Sequence, residues 1–144
     1  MPAVVTQYCT FQVGGHFFGI DVTHVQEVVR FQPLTRVPLA PREVSGLINL
    51  RGQIITTIDL RRRLRLADRA AGERPTNVLV STPEGAVSLQ VDVIEDVIDV
   101  DPTSIEAPPE MLAADLRRCI AGVSKQRDRL LLILDEVRTM NLSG

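Results

Sequence analysis

One ordered set of features occurs twice along this chain, and the repetition limits the fold more than any single motif does. In the first half, Cys9, Phe11 and Val13 alternate with Tyr8, Thr10 and Gln12, the period of two expected of a strand with one buried face. Gly14-Gly15 then supplies a turn, because paired glycines accept the positive φ angles of a tight hairpin, and His16 to Ile20 returns as the second strand. In the second half, Val78-Leu79-Val80, the turn Pro83-Glu84-Gly85, and Val87, Leu89 and Val91 alternating with Ser88, Gln90 and Asp92 predict another hairpin. Ile20-Asp21-Val22 matches Val91-Asp92-Val93, and after a two-residue deletion Val25-Gln26-Glu27-Val28-Val29 falls on Ile94-Glu95-Asp96-Val97-Ile98. Further on, Gly46 through Asp59 aligns without gaps on Gly122 through Asp135, a constant offset of 76 residues. That offset sets Arg51 on Arg127, and Ile54, Ile55 and Ile58 on Leu130, Leu131 and Leu134.

A unit that recurs in this order predicts a mainly β fold of two similar subdomains, each of about five short strands, too many for a small flat sheet and enough for a little barrel. All 144 residues are expected to form one domain, with subdomain one at about 14–75, subdomain two at about 76–140, and terminal segments free to exchange strands. Composition agrees: 18 Val, 10 Ile and 10 Thr make about a quarter of the chain β-branched. A chain of this length buries roughly 68–70% of its unfolded surface, so Cys9 and Cys119 are read as reduced core residues. The N-terminus does not resemble a signal peptide, and no apolar run approaches the roughly 20 residues of a membrane helix, so a cytoplasmic location is expected.

Between the hairpins, Thr23-His24-Val25-Gln26 has the spacing of a capping box, which predicts a short helix carrying Val25, Val28 and Val29 on one face and recurring at Ile94 to Ile98. Pro33, Pro38 and Pro41 punctuate the next stretch, leaving Leu34 to Val37 as a short edge strand. Val44 to Leu60 reads as two strands around a turn at Arg51-Gly52, with Ile54, Ile55 and Ile58 as core residues. Arg61-Arg62-Arg63-Leu64-Arg65 and the polar residues up to Pro75 read as a solvated strand end or helix face followed by a surface loop.

Catalytic chemistry finds little purchase. His16, His24, Cys9 and Cys119 are the only soft metal ligands and lack zinc-site spacing, so neither metal nor cofactor is expected. Val44-Ser45-Gly46 is no nucleophile elbow, no glycine-rich phosphate loop occurs, and Lys125 is the single lysine. His24 and Glu27 lie three apart and read as a surface pair. The arginine run could suggest nucleic acid, but Asp59 and Asp68 flank it and no aromatic is near to stack bases. Residues 75–116 carry nine acidic and no basic side chains between two basic flanks, a segregation suited to protein contacts and equally to solvated acidic loops. Glu27 and Arg51 stand beside apolar residues without serving packing. Arg51, at a tight turn, is either a salt-bridge partner of Glu27 or a contact at a partner surface, where arginine is enriched.

At these residues the sequence resembles the CheW family, the adaptor proteins of bacterial chemosensory arrays. The similarity runs from about Tyr8 to Met140 and rests on Phe18-Gly19-Ile20-Asp21, Val25-Gln26-Glu27-Val28, Thr35-Arg36-Val37-Pro38, Gly46-Leu47-Ile48-Asn49-Leu50-Arg51-Gly52, Ile58-Asp59-Leu60-Arg61, Val91-Asp92 and Gly122-Val123. The resemblance implies two five-stranded SH3-like β-barrel subdomains with short helices, and no enzymatic activity. It implies two partners, the regulatory domain of a CheA-type histidine kinase and the cytoplasmic tip of methyl-accepting chemoreceptors. It further implies a monomer when free, at the inner face of the membrane through receptor arrays, with neither nucleic acid nor membrane insertion. Carried over by position, Val25, Glu27, Gly46, Asn49 and Arg51 are implied in receptor and kinase coupling, and Val91 and Val93 in a groove for the receptor's helical tip. Thr56 departs from the pattern, standing where the family usually has proline, and the end at Gly144 leaves no room for a receiver domain, which favours a stand-alone adaptor. An adaptor serving pili, gliding or gene expression is the alternative, and a small β-barrel nucleic-acid binder is a more distant one.

Overall fold

A computed structural model describes residues 4–142. Ten strands run through it in chain order: β1 (Thr6–Val13), β2 (His16–Asp21), β3 (Val25–Val29), β4 (Val44–Leu50), β5 (Gln53–Asp59), β6 (Thr76–Thr82), β7 (Gly85–Val91), β8 (Val93–Val100), β9 (Ile120–Lys125) and β10 (Leu130–Leu134). Three short helices interrupt them, α1 (Leu60–Arg63), α2 (Ala114–Arg118) and α3 (Glu136–Met140). The fold is thus mainly β. Both anticipated hairpins form, β1 with β2 across Gly14-Gly15, whose φ angles are 58° and 82°, and β6 with β7.

The strands make two five-stranded sheets, in the orders β8-β1-β2-β10-β9 and β3-β6-β7-β5-β4. Each follows one plan: an outer strand, an antiparallel hairpin, and a parallel join to a second hairpin, β2 with β10 in one sheet and β7 with β5 in the other. The boundary expected near residue 75 does not separate the sheets. The N-terminal hairpin completes the sheet of β8, β9 and β10, and the hairpin β6–β7 completes the sheet of β3, β4 and β5, so the two repeats have exchanged hairpins.

The repeat survives in three dimensions, with the offset at 76 residues from β4 onward and 71 in the loop before it. Thr35 exchanges two 2.8 Å backbone hydrogen bonds with Leu47, and Glu106 exchanges the same pair, at 2.8 and 2.9 Å, with Val123. The Asp59 carboxylate caps α1 by accepting from the Arg61 amide, and Asp135 caps α3 by accepting from that of Arg138. The two helices meet: the buried Arg63 guanidinium of α1 donates to the carbonyls of Thr139 (2.6 Å), Arg138 (2.8 Å) and Asn141 (3.3 Å) at the end of α3. Arg63 and Thr139 are themselves 76 residues apart, so the repeats touch at equivalent positions.

One apolar cluster draws on both sheets, with Phe11, Phe18 and Ile20 from one and Ile58, Val78 and Leu89 from the other. Two smaller clusters lie on the opposite faces, Tyr8, Phe17, Val100, Leu131 and Ile133 in one sheet, and Ile48, Ile55 and Leu79 in the other. Val29 of β3 packs against the last cluster beside Ile48 of β4, although these strands stand at opposite ends of their sheet, so the sheet rolls until its edges meet. Burying each such side chain contributes about 1.5–3 kcal/mol. Cys9 and Cys119 are buried free thiols, and burial pushes both above the ordinary thiol range.

Several local expectations are corrected. The Thr23–Gln26 capping box does not form: Val22–His24 is a single 3-10 turn capped by the Asp21 carboxylate, and Val25–Val29 is strand β3. The same holds at Ile94 to Ile98, which lie inside β8. Backbone pairing with β6 and β1 outweighs the weak helical preference of these valine-rich segments. The expected edge strand at Leu34 to Val37 shrinks to the one bridge at Thr35, because the flanking prolines cannot donate to a longer ladder. Ile54 is 60% exposed, since only every second residue at the start of β5 faces inward, and that residue is Ile55. Thr56 lies within a strand paired on both sides, with Leu47 and with Val87, a position ill suited to proline.

Candidate functional site

The β4–β5 hairpin turns on Arg51 and Gly52, both at positive φ (53° and 85°), as a two-residue turn between right-twisted strands requires. Asn49 stabilises it by accepting the Gly52 amide at 3.0 Å. This geometry forces the Arg51 side chain outward, and there it donates to Glu27 Oε1 on β3 at 2.5 Å. A bulge between Val25 and Glu27 turns β3 so that Glu27 can meet the arginine. The side chains are 70% and 34% exposed, and the pair bridges the two edge strands of the rolled sheet at its surface.

The remaining anticipated positions divide by burial. Asn49 is exposed, and its outward neighbour across the hairpin is the exposed Ile54. Val25 is half-buried against the shared core. Gly46 is buried with φ 148°, and a Cβ there would sit 2.5 Å from the Thr35 carbonyl oxygen, so its place is to let the 30–43 loop dock on β4. Val93 is exposed on β8, whereas Val91 is fully buried in the shared core and offers no surface, because it ends the inward-facing row of β7. Val91 is therefore corrected from groove residue to core residue.

His24 and Glu27, expected to face each other, do not. Glu27 is taken by Arg51, and His24 Nδ1 lies 2.9 Å from Glu136 Oε1 of α3. Residue spacing could not reveal Glu136, which is 112 positions away.

The arginine run is not a solvated face. Arg61 reaches Asp92 through Nε and a terminal nitrogen (3.0 and 2.8 Å), and Arg69, outside the run, bridges Asp92 (2.9 Å) and Asp59 (3.0 Å) with a side chain only 9% exposed. Asp92 also accepts the Gly14 amide at 2.7 Å. Burial works against its charge, but the Arg61 and Gly14 hydrogen bonds and the Arg69 charge outweigh this and hold the carboxyl below its ordinary range. Arg62 contacts Asp59 and Asp68. The cluster fixes the single residue that joins β7 to β8, and the stretch expected as a plain surface loop carries part of that junction.

A second acid–arginine pair echoes the first. Glu95 of β8 receives two bonds from Arg129, at 2.5 and 3.0 Å, and the guanidinium lies 3.6 Å from the Phe17 ring centre. A groove of about 1080 Å³ opens between the proline-containing loop, with Leu34, Val37 and Pro41, and the segment carrying Arg62 and Arg69. Among the described residues no group of three or more His, Cys, Asp or Glu is arranged to hold a metal ion, and no helix is long and apolar enough to cross a membrane.

Comparison with known proteins fits this architecture. A family model described as the CheW-like domain matches residues 7–142. The chemotaxis protein CheW of Treponema pallidum is 33% identical over 133 residues, covering 90% of this chain and 78% of that protein. The chemotaxis protein CheW of Bacillus subtilis is 36% identical over 125 residues, covering 87% and 80% respectively. The crystal structure of the scaffolding protein TtCheW from Thermoanaerobacter tengcongensis superposes with a TM-score of 0.82 at 29% identity, covering 94% of this chain and 86% of that one.

Proposed function

The chain belongs to the CheW-like family, and we propose on that premise how it acts: it joins the cytoplasmic tips of methyl-accepting chemoreceptors to the regulatory domain of a CheA-type histidine kinase. It is a chemotaxis coupling adaptor, a scaffold that interacts with chemotaxis signalling components. In this reading it catalyses nothing, is a monomer when free, and works in the cytoplasm at the inner face of the membrane through its receptor contacts. Its two five-stranded units act as one domain.

The observation that carries the site is the exposed Glu27–Arg51 pair. Arg51 is held outward by a backbone conformation that a non-glycine residue rarely adopts, and its partner is half-exposed rather than buried. An exposed pair of this kind contributes about 0–1 kcal/mol to folding, so stability alone gives little reason to hold it there. Asn49 supports the turn and presents an amide beside Ile54; Gly46 and Val25 act from beneath by positioning β4 and β3. Val93 supplies apolar surface on β8 for a helical segment of the receptor.

Calorimetric titration into the regulatory domain of a CheA-type kinase from the same organism tests the reading. Saturable one-to-one binding is expected, weakened at least tenfold by Arg51→Ala while the unfolding midpoint stays near that of the unsubstituted protein. Absence of binding to a competent kinase domain would overturn the kinase half of the proposal. Unchanged binding by Arg51→Ala would remove Arg51 from the contact.

A further inference from the structure

Among the described residues the chain passes from one sheet to the other at two points. One is Asp92, between β7 and β8; the other is the turn Val22–His24, between β2 and β3. The two crossings are fastened differently. Asp92 is gripped by Arg61 and Arg69, whose guanidinium groups stay charged at every physiological pH. The Val22–His24 turn is fastened by the side-chain contact between His24 and Glu136, 2.9 Å apart, which ties the crossing to helix α3 after β10.

We propose that the His24–Glu136 contact is a pH-responsive clasp on this crossing: with the imidazole protonated it holds the turn and the start of β3 tightly against α3, and with the imidazole neutral it holds them less tightly. The groups around His24 favour such a device. On its own turn, Asp21 accepts from the Thr23 amide at 2.9 Å and from its hydroxyl at 2.7 Å, leaving a fixed negative charge beside the ring. From β1, the Tyr8 phenol lies close enough to feel both Asp21 and Glu136, and burial together with those two charges pushes its ionisation up, so it stays neutral. β6, which also borders the turn, carries no titratable residue. Glu27 is engaged by Arg51. Histidine is the group of this set whose ordinary titration falls between about pH 6 and 8.5, since carboxylates and phenols ordinarily titrate well outside that window.

Hydrogen bonding to Glu136, against a smaller opposing effect of burial and with help from the Glu136 and Asp21 charges, holds the imidazolium above its ordinary range. The sign follows. A raised value in the folded state stabilises the closed crossing fully below about pH 6.5, and the stabilisation is lost as pH rises through the folded value. The clasp itself stands independently of the adaptor reading. Any effect on partner binding, through Glu27 three residues further on, rests on that reading.

Amide hydrogen exchange measured by NMR from pH 6 to 8.5, with each rate divided by its intrinsic rate at the same pH, tests the proposal, and the His24 ring is titrated in the same samples. Protection of the amides from His24 to Val29 should fall about two- to five-fold as the ring loses its proton, the size an exposed ion pair supports. In Glu136→Gln the ring should titrate lower and the step in protection should disappear. A flat profile in the unsubstituted protein, or the same step in Glu136→Gln, would overturn the clasp. Neither result bears on kinase binding, so the adaptor reading fails or survives by its own calorimetry.

Discussion

Ile54 and Ile55 are adjacent, chemically identical and opposite in fate. Ile55 is about 1% exposed and packs with Ile48 and Leu79, whereas Ile54 stands out beside Asn49. Ile55→Ala is therefore expected to cost about 2–5 kcal/mol of unfolding free energy, as is Leu131→Ala in the other sheet, while Ile54→Ala should stay within about 0.5 kcal/mol. Urea unfolding of the three variants checks this, and equal midpoints for the two isoleucine variants would contradict the assignment. Hydropathy alone gives both isoleucines to the core; the register of β5 distinguishes them, and that register is set by pairing with β4 and β7 rather than by local sequence. Arg51 was more legible, because a cation at a two-residue turn beside glycine has few places to go, and pairing with Glu27 was one of them.

At the level of elements, hairpins with paired glycines or a Pro-Glu-Gly turn are legible because local chemistry dictates them. The segments after each hairpin are less so. Val25 to Val29 offers valines at helical as well as strand spacing, and only the open edge of β6, encoded about 50 residues later, decides for strand. The junction at Asp92 is equally non-local, since its arginines come from α1 and the loop beyond it. Because the Asp92 carboxyl is held below its ordinary range, it stabilises the fold fully above about pH 4, and the contribution is lost as pH falls through the depressed value. Thermal unfolding between pH 2.5 and 7 should show Asp92→Asn melting lower at neutral pH and losing less on acidification. Parallel pH profiles for the two proteins would show that the junction does not depend on this charge.

The whole molecule is where sequence reading reaches furthest and also stops. The repeat and its offset foretell two equivalent five-stranded units, whereas the contact of Arg63 with Thr139, equivalent positions 76 apart, is visible only in the folded chain. Which hairpin joins which unit is not implicit, for the two hairpins match in kind and either could complete either sheet. The exchange means that residues 1–70 and 71–144 each hold strands of both sheets and a complete set of neither. Each fragment alone should give a poorly dispersed NMR spectrum, and mixing the two should restore the native one. A fragment that folded unaided would show that each repeat can use its own hairpin.

That handover also orders events during synthesis. β3 to β7, residues 25–91, can pair as they emerge, but the N-terminal hairpin must wait for β8 and then for β10, which ends at residue 134. At about 5–20 residues per second, the ribosome adds the intervening 113 residues in roughly 6–23 s. β1, with Phe11, gains its outer neighbour once β8 is made, whereas β2, with Phe17 and Phe18, lacks its parallel partner throughout that interval. A nascent chain of this design therefore carries a half-built sheet through most of its growth, and that sheet can close only when β10 arrives.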